Sequence, residues 1–311
     1  MVLSPRSLSY SRYALESLFR NSAERIHLHL ITDSAEDRTK LADELASHQR
    51  SDGHEWSVFA EADLKDQEAE MFGRFPNLRQ FRKGHPCWRK ITDPVLLSAA
   101  GEEMVLLDPD LYFPNRFCFE PTPEHGVLLM WQKPNCLFPP ETVRKAMTAG
   151  IPLAHHVDIG VAHWRAPVDL EWLDWLVEKL DSSHQTRIMH IEAIVWAALA
   201  IRMGGGYLDP RLWHCWRRSQ YSRLVSRFGA EGARVLRSEP FSSIKCFHAG
   251  GRAKSWLAEA KEAGFLDGTS SLTRCGETLP FVELTPRAYQ REQGVKQLLA
   301  KLGYYTVFQS T

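Results

Sequence analysis

Apolar positions along this chain follow two kinds of repeat, one typical of strands and one typical of helices. Residues 25–33 alternate polar and apolar side chains and then become continuously apolar, as in a strand that enters a sheet buried on both faces. Residues 13–19 and 35–48 repeat apolar groups at helical spacing, while residues 2–4 and 55–59 have the pattern of strands. The resulting order of strand, helix, strand, helix, strand predicts an α/β fold with a mostly parallel sheet.

The rest of the chain continues this mixture of elements. The stretch 75–90 is basic and irregular, and it leads into an apolar segment at 91–100. The patterns that follow predict strands at 103–107, 126–131, 157–164 and 245–247, and helices at 168–180, 188–203, 254–264 and 287–302. No internal repeat or long linker divides the chain, so we expect a single domain.

Two carboxylates follow the predicted strand at 103–107. Asp108-Pro109-Asp110 comes directly after the apolar run MVLL. Carboxylates at the C-terminal end of such a strand lie where open α/β sheets bind ligands. Hard divalent ions that bridge a diphosphate prefer carboxylate oxygens, although Asp-Pro is also a common turn opener.

Composition excludes several classes of protein. The 311 residues are 44% hydrophobic, with 38 basic and 38 acidic side chains, so the chain can bury a large core but has no net charge to attract nucleic acid. Six cysteines show neither zinc-finger spacing nor a disulfide framework, which favours a reducing compartment. The first twenty residues lack the apolar core of a signal peptide, and no apolar stretch is long enough to span a membrane. These features predict a soluble, cytoplasmic protein.

A second candidate site follows the predicted strand at 245–247. His248 is followed by Gly250-Gly251, and then by Arg252 and Lys254. A strand, glycines and a helix present backbone N–H groups that can hold a phosphate, and the two basic side chains would neutralise it. Taken alone, the segment is better explained as an ordinary glycine-rich turn capped by a solvated Lys.

The spacing of His248, Gly251, Lys254 and Trp256 resembles the HxxGxxKPW motif of glycosyltransferase family 8, which contains glycogenin and bacterial galactosyltransferases; Ser255 stands where proline is usual. Other segments are similar to parts of the same family. Residues 13–33 are similar to its first helix and second strand, and residues 90–113 to a segment in which a Lys is followed by a strand ending in DxD. Residues 156–161 resemble a strand with an NxGV signature, with Asp158 in place of the Asn. Residues 190–193 fall where the family has an Asp-Gln pair. Together the segments cover most of residues 10–257.

The resemblance implies a GT-A fold, a Rossmann-like mixed and mostly parallel sheet flanked by helices. It implies a domain at 1–265, with a nucleotide-binding half at about 1–120 and an acceptor half at about 121–265, followed by a helical extension at 266–311. The implied activity is metal-dependent transfer of a hexose from a nucleotide-diphosphate sugar, usually a UDP-sugar, to a glycan, lipid or protein acceptor with retention of configuration.

The resemblance also implies roles for individual residues. Asp108, Asp110 and His248 would hold Mn²⁺ or Mg²⁺ against the diphosphate. Asp108, Gly251 and Lys254 would contact the donor phosphates. Lys90, Asp158 and Glu192 would serve catalysis, with Lys90 near the diphosphate or donor sugar and the two carboxylates lining the donor-sugar and acceptor pocket.

Three other interpretations remain open. The missing Asn and Asp-Gln signatures suit a non-catalytic protein of the same fold that binds nucleotide sugars or glycans. His155, His156, Asp158 and His163 suggest a zinc hydrolase, although a full ligand set would need residues from elsewhere. Residues 211–218 or 287–302 could contact a membrane weakly, but solvated helix faces with Trp packed beneath them explain the same pattern.

Overall fold

A computed structural model of the protein describes residues 1–48, 53–99, 101–165, 167–182, 188–216 and 232–303. The helices are α1 (Leu8–Asn21), α2 (Ala35–His48), α3 (Lys65–Phe72), α4 (Pro76–Arg82), α5 (Arg89–Leu97), α6 (Pro140–Thr148), α7 (Leu170–Lys179), α8 (Ile191–Met203), α9 (Gly232–Leu236), α10 (Leu257–Glu262) and α11 (Pro286–Lys301). The strands are β1 (His27–Thr32), β2 (Glu55–Ala60), β3 (Met104–Leu107), β4 (Leu111–Tyr112), β5 (Arg116–Phe117), β6 (Val127–Trp131), β7 (Val157–Trp164), β8 (Gly205–Tyr207), β9 (Trp213–Cys215), β10 (Cys246–His248), β11 (Ser271–Leu272) and β12 (Leu279–Pro280). The predicted α/β class is confirmed.

The largest sheet contains five strands in the order β12-β8-β6-β7-β3. β7 lies antiparallel to both of its neighbours and β12 lies antiparallel to β8, whereas β8 lies parallel to β6. The sheet is therefore mixed, as expected, but it is not mostly parallel. Seven of the eight residues of β7 are buried, as its nearly continuous apolar run requires. Helix α8 packs against β6 and β7 and is itself almost wholly buried, which places the main core on this side of the sheet.

A smaller sheet, in the order β4-β10-β9, joins two distant parts of the chain. β10 lies antiparallel to β4, with His248 opposite Leu111, and parallel to β9. Because β4 begins directly after Asp110, this pairing brings the end of β10 next to the carboxylates that follow β3.

The two chain ends contribute to further sheets. β1 and β2 form a parallel pair, and Met1 and Leu3 extend it through backbone hydrogen bonds of 2.9 Å to Ile31. Towards the C-terminus, β11 pairs with β5 and β12 pairs with β8 before α11 begins. Residues beyond 265 therefore complete sheets of the main body in addition to forming a helix.

The prediction of an irregular stretch at 75–90 is wrong, because α4 and the start of α5 lie inside it. Pro76 occupies the first turn of α4, where its missing N–H costs nothing. The guanidinium of Arg82 is buried and lies 2.5 Å from Glu68 and 2.8 Å from Asp93. At least one basic residue of this stretch thus forms internal ion pairs between helices. The spacing of basic residues alone does not distinguish a buried ion pair from a charge in a solvated loop.

The six cysteines are all free, and Cys215 and Cys246 are buried on β9 and β10. Among the described residues, no helix has both the length and the apolar character that crossing a membrane requires.

Candidate functional site

The carboxylates after β3 are held in place by backbone hydrogen bonds from two directions. The N–H of Asp108 donates to the carbonyl of Gly160 on β7 at 2.9 Å, and the N–H of Ala249 donates to the carbonyl of Asp110 at 2.9 Å. The turn Asp108-Pro109-Asp110 is therefore fastened both to the main sheet and to the segment that follows β10. Both carboxylates are buried, with relative exposures of 8% and 7%.

The structure brings Asp108, Asp110 and His248 together, as the sequence predicts. The His248 Nε2 lies 3.2 Å from Asp110 Oδ1 and 3.9 Å from Asp108 Oδ2. One candidate ligand atom from each residue lies within 4.8 Å of the other two. The three side chains thus form a compact buried group from two parts of the chain that are far apart in sequence.

Asp158 lies behind His248. Its Oδ1 is 2.7 Å from His248 Nδ1 and accepts a second hydrogen bond, at 2.9 Å, from the N–H of Gly160. A Cβ atom at Gly160 would lie 2.7 Å from His248 Nδ1, so only glycine leaves room for this contact. With Nδ1 facing Asp158, the other ring nitrogen points at Asp108 and Asp110, an arrangement common for histidines that bind metals.

Lys90 links the carboxylates to α8. Its Nζ lies 2.5 Å from Asp108 Oδ1 and 3.2 Å from Glu192 Oε1. Lys90 is in the first turn of α5 and Glu192 in the first turn of α8, and both side chains are buried. The two helix starts therefore meet at the carboxylate cluster.

Burial and neighbouring charges shift the pKa values in this cluster. Burial raises the pKa of Glu192 to about 8, although Lys90 opposes the shift. Burial also raises the pKa of Asp108 against the attraction of Lys90. For His248, burial disfavours the charged ring, but Asp158 and Asp110 raise its pKa well above the usual range. Asp158 and Asp110 thus stabilise positive charge at His248, and a cation bound at Nε2 would take the place of the ring's proton.

The exposed edge of the site is formed by the segment after β10. Lys254 Nζ lies 3.7 Å from Asp110 Oδ2 and 4.9 Å above the ring of Tyr10 on α1. Gly251 has a φ of +64°, which favours glycine, and a Cβ there would come no closer than 4.0 Å to Trp216. The sequence prediction did not assign Tyr10 to the site, because it belongs to no motif. It included Trp216, which directly follows β9, only in the segment 211–218 considered for membrane contact.

The donor set fits a divalent cation. Asp108 Oδ1 and Asp110 Oδ1 are buried and, apart from the ion-pair contacts described above, have no hydrogen-bond partner among the described residues. Two carboxylates and one imidazole suit Mn²⁺, which accepts both oxygen and nitrogen ligands.

The histidines near β7 do not converge as the zinc-hydrolase interpretation requires. His163 lies on β7 with its Nε2 2.8 Å from Glu103 and 3.0 Å from Thr122. His155 and His156 instead face Glu292 of α11.

The membrane-contact hypothesis stays a prediction. Trp213, which it placed on a surface, is buried and donates its Nε1–H to Glu120, and the basic residues 217 and 218 lie outside the described residues.

No family model and no curated protein matches the chain. Among solved structures, mouse xyloside xylosyltransferase 1 in its apo form is similar with a TM-score of 0.48 and 14% identity, over 78% of this chain and 92% of that one. The galactosyltransferase LgtC, in complex with donor and acceptor sugar analogues, is similar with a TM-score of 0.48 and 13% identity, over 84% of this chain and 92% of that one. At such identity, the chemistry of neither protein transfers to this chain.

Proposed function

We propose that this protein is a metal-dependent glycosyltransferase of the GT-A type, which moves a hexose from a nucleotide-diphosphate sugar to an acceptor. The observation that carries the proposal is the buried group of Asp108, Asp110 and His248, with Lys90 and Lys254 at its edges. In this proposal residues 1–265 form the catalytic domain and residues 266–311 a C-terminal extension.

The chain's own residues would stabilise the leaving nucleotide diphosphate. A Mn²⁺ or Mg²⁺ ion held by Asp108, Asp110 and His248 would neutralise charge on the diphosphate. Lys254, which is partly exposed, would bind a phosphate oxygen as the bond to the sugar breaks, and the backbone of the Gly251 turn would approach the same group. These contacts strengthen as negative charge develops, which is the condition for accelerating the reaction.

Positioning and proton transfer would fall to the buried residues. Asp158 would keep His248 in the orientation in which Nε2 faces Asp108 and Asp110. We propose this role for Asp158 instead of a position in the lining of the sugar pocket. Glu192 contacts Lys90, and in its carboxylate form it would accept the proton that the acceptor hydroxyl loses as the new glycosidic bond forms; its raised pKa favours keeping that proton. We further propose a UDP-sugar donor, retention of configuration, a glycan, lipid or protein acceptor and a cytoplasmic location; the six free cysteines support a reducing compartment.

Thermal unfolding in the presence of UDP, GDP and CMP, each with and without Mn²⁺, tests the donor site. A ligand at a hundred times its dissociation constant stabilises a protein by about 2.7 kcal/mol, which is easily measured. We expect a shift with UDP that requires Mn²⁺ and disappears in Asp110→Asn. The exposed control Asp43→Asn on α2 is expected to keep the shift. A shift that survives Asp110→Asn would contradict the metal site.

Release of UDP from a panel of UDP-hexoses then separates transfer from binding. We expect release that depends on Mn²⁺ and falls strongly in Asp110→Asn and Glu192→Gln. Binding of UDP without release from any donor would favour the alternative of a non-catalytic protein that binds nucleotide sugars.

A further inference from the structure

We propose that His155, His156 and Glu292 form a second metal site, which binds Zn²⁺ or a similar ion and fastens α11 to the start of β7. The site shares no residue with the cluster around Asp108. It also differs in chemistry, since two imidazoles and one carboxylate suit zinc better than Mg²⁺ or Mn²⁺.

The three side chains already lie together. His155 Nε2 is 2.7 Å from Glu292 Oε1, and the rings of His155 and His156 stack with centroids 3.6 Å apart and planes 17° apart. One candidate ligand atom from each residue lies within 4.8 Å of the other two. Ligands about 2.0–2.1 Å from a tetrahedral zinc ion are roughly 3.3 Å apart, so one imidazole would rotate out of the stack when an ion binds, which brings both ring nitrogens towards it.

The backbone is strained in the way that puts the two imidazoles side by side. His156 has a φ of +63°, a conformation that costs a residue other than glycine on the order of 1–3 kcal/mol. Hydrogen bonds on both sides hold this conformation: His155 N–H donates to Val282 at 2.7 Å, and Gln132 N–H donates to His156 at 2.8 Å. Such strain at a non-glycine residue frequently marks a ligand site.

Two polar atoms of the cluster lack partners. His156 Nδ1 and Glu292 Oε2 are buried and have no hydrogen-bond partner within the described parts of the chain. An unsatisfied buried acceptor is costly, and a metal ion would satisfy both kinds of atom at once. The side chains of His155 and Glu292 keep 13% and 23% of their exposure, so an ion and a completing water have access.

Helix α11 has little apolar packing against the rest of the protein. Of its sixteen residues only Tyr289 is buried, so apolar packing holds the helix weakly. Glu292 lies one turn further along the same helix, where a metal bond to β7 would add a second point of attachment.

Titration of chelator-treated protein with Zn²⁺ tests the site. Because the cluster around Asp108 is expected to take Zn²⁺ as well, the prediction concerns one equivalent of the total. We expect the affinity for that equivalent to fall at least tenfold in His156→Asn and in Glu292→Gln. Asparagine tolerates the left-handed backbone at 156, and Glu292 is on a peripheral helix, so both variants should fold. Zinc should also slow amide hydrogen exchange in α11 of the wild-type protein.

Two controls distinguish this site from other histidines and from the donor site. His214→Gln removes a similar pair, His214 Nε2 to Glu239 at 2.8 Å, and Asp110→Asn removes one carboxylate of the cluster around Asp108; neither should change the equivalent that is weakened in His156→Asn and Glu292→Gln. If zinc binds equally well to His156→Asn and Glu292→Gln, or if Asp110→Asn alone abolishes binding, the second site does not exist. The test needs no transfer activity, so it stands apart from the proposed function.

Discussion

Gly160 shows how a single missing side chain shapes the candidate site. It lies on the buried strand β7, donates its N–H to Asp158 and accepts from the N–H of Asp108. Its open face is filled by the ring of His248, and a Cβ would come within 2.7 Å of Nδ1 and 3.0 Å of Asp158 Oδ1. The geometry of His248 thus depends on a residue that contributes no side chain of its own.

We expect Gly160→Ala to damage both stability and cation binding. A methyl group forced into a packed interior costs about 1–3 kcal/mol, and displacing His248 should weaken Mn²⁺-dependent nucleotide binding by about 10–100-fold. Urea unfolding and a Mn²⁺-UDP titration would measure the two effects.

Gly294→Ala is the matched control. Gly294 lies within α11, and a methyl group added there would meet nothing within 4 Å, so alanine should raise stability by up to about 1 kcal/mol and leave nucleotide binding unchanged. Equal behaviour of the two variants would contradict the role assigned to Gly160.

Among the helices, α3, α4 and α5 are joined by a buried ion-pair network. Arg82 of α4 donates to Glu68 of α3 and to Asp93 of α5, and Thr92 also donates to Asp93. Asp93 is fully buried, and burial raises its pKa even though Arg82 opposes the shift. The buried guanidinium of Arg82 therefore links the three helices, and the ion pair with Asp93 is shielded from water.

Arg82→Met should cost about 3–5 kcal/mol, since it leaves Asp93 buried without its cation. The loss should be smaller at low pH, where a protonated Asp93 needs no counter-charge. By contrast, Arg38→Met breaks an exposed pair with Asp63 and should cost about 0–1 kcal/mol. Chemical denaturation at pH 8 and pH 5.5 would test both values, and a pH-independent loss for Arg82→Met would show that packing rather than charge is responsible.

Local patterns were enough to predict most of the elements. β7 at Val157–Trp164 and α2 at Ala35–His48 have the predicted bounds. A buried strand requires a nearly continuous apolar run, and a helix packed on one face requires apolar residues at helical spacing, so both patterns are visible in the sequence. The convergence of the DxD turn with His248 was also predicted, but only by resemblance to a family; its physical cause, the pairing of β4 with β10, cannot be derived from spacing.

Contacts between distant residues could not be predicted in the same way. The position of Asp158 behind His248, the link from Lys90 to Glu192 and the approach of Glu292 to His155 each join separate elements. Helix α4 was missed because its basic residues look solvated until the partners of Arg82 are known.

Across the molecule, the β1-β2 sheet is separated from the main sheet by a cleft. A cavity of about 580 Å³ is lined by β1 residues 27–29 and by β3, among others. His29 faces this cavity next to the rings of His27 and Phe59, and burial with the neighbouring His27 lowers the pKa of His29 to about 4.

Acid should therefore destabilise the protein through His29. Its folded pKa is below the unfolded value of about 6.5, so the unfolded chain binds more protons between these values and stability falls as the pH drops from about 6.5 towards 4. We expect His29→Gln to reduce the difference in unfolding free energy between pH 7 and pH 5. His125→Gln, on an exposed loop, should leave that difference unchanged, and an unaltered difference in His29→Gln would show that other groups govern acid sensitivity.

The buried cysteines of β9 and β10 can report on local opening of the site through their rate of alkylation. Burial raises the pKa values of Cys215 and Cys246 far above those of free thiols, so both are inert while the strands around His248 stay closed. Cys275 is exposed and would serve as an internal reference. The rate at which an alkylating reagent reaches the two buried thiols thus records how often the carboxylate-histidine site opens, in a protein that carries no added label.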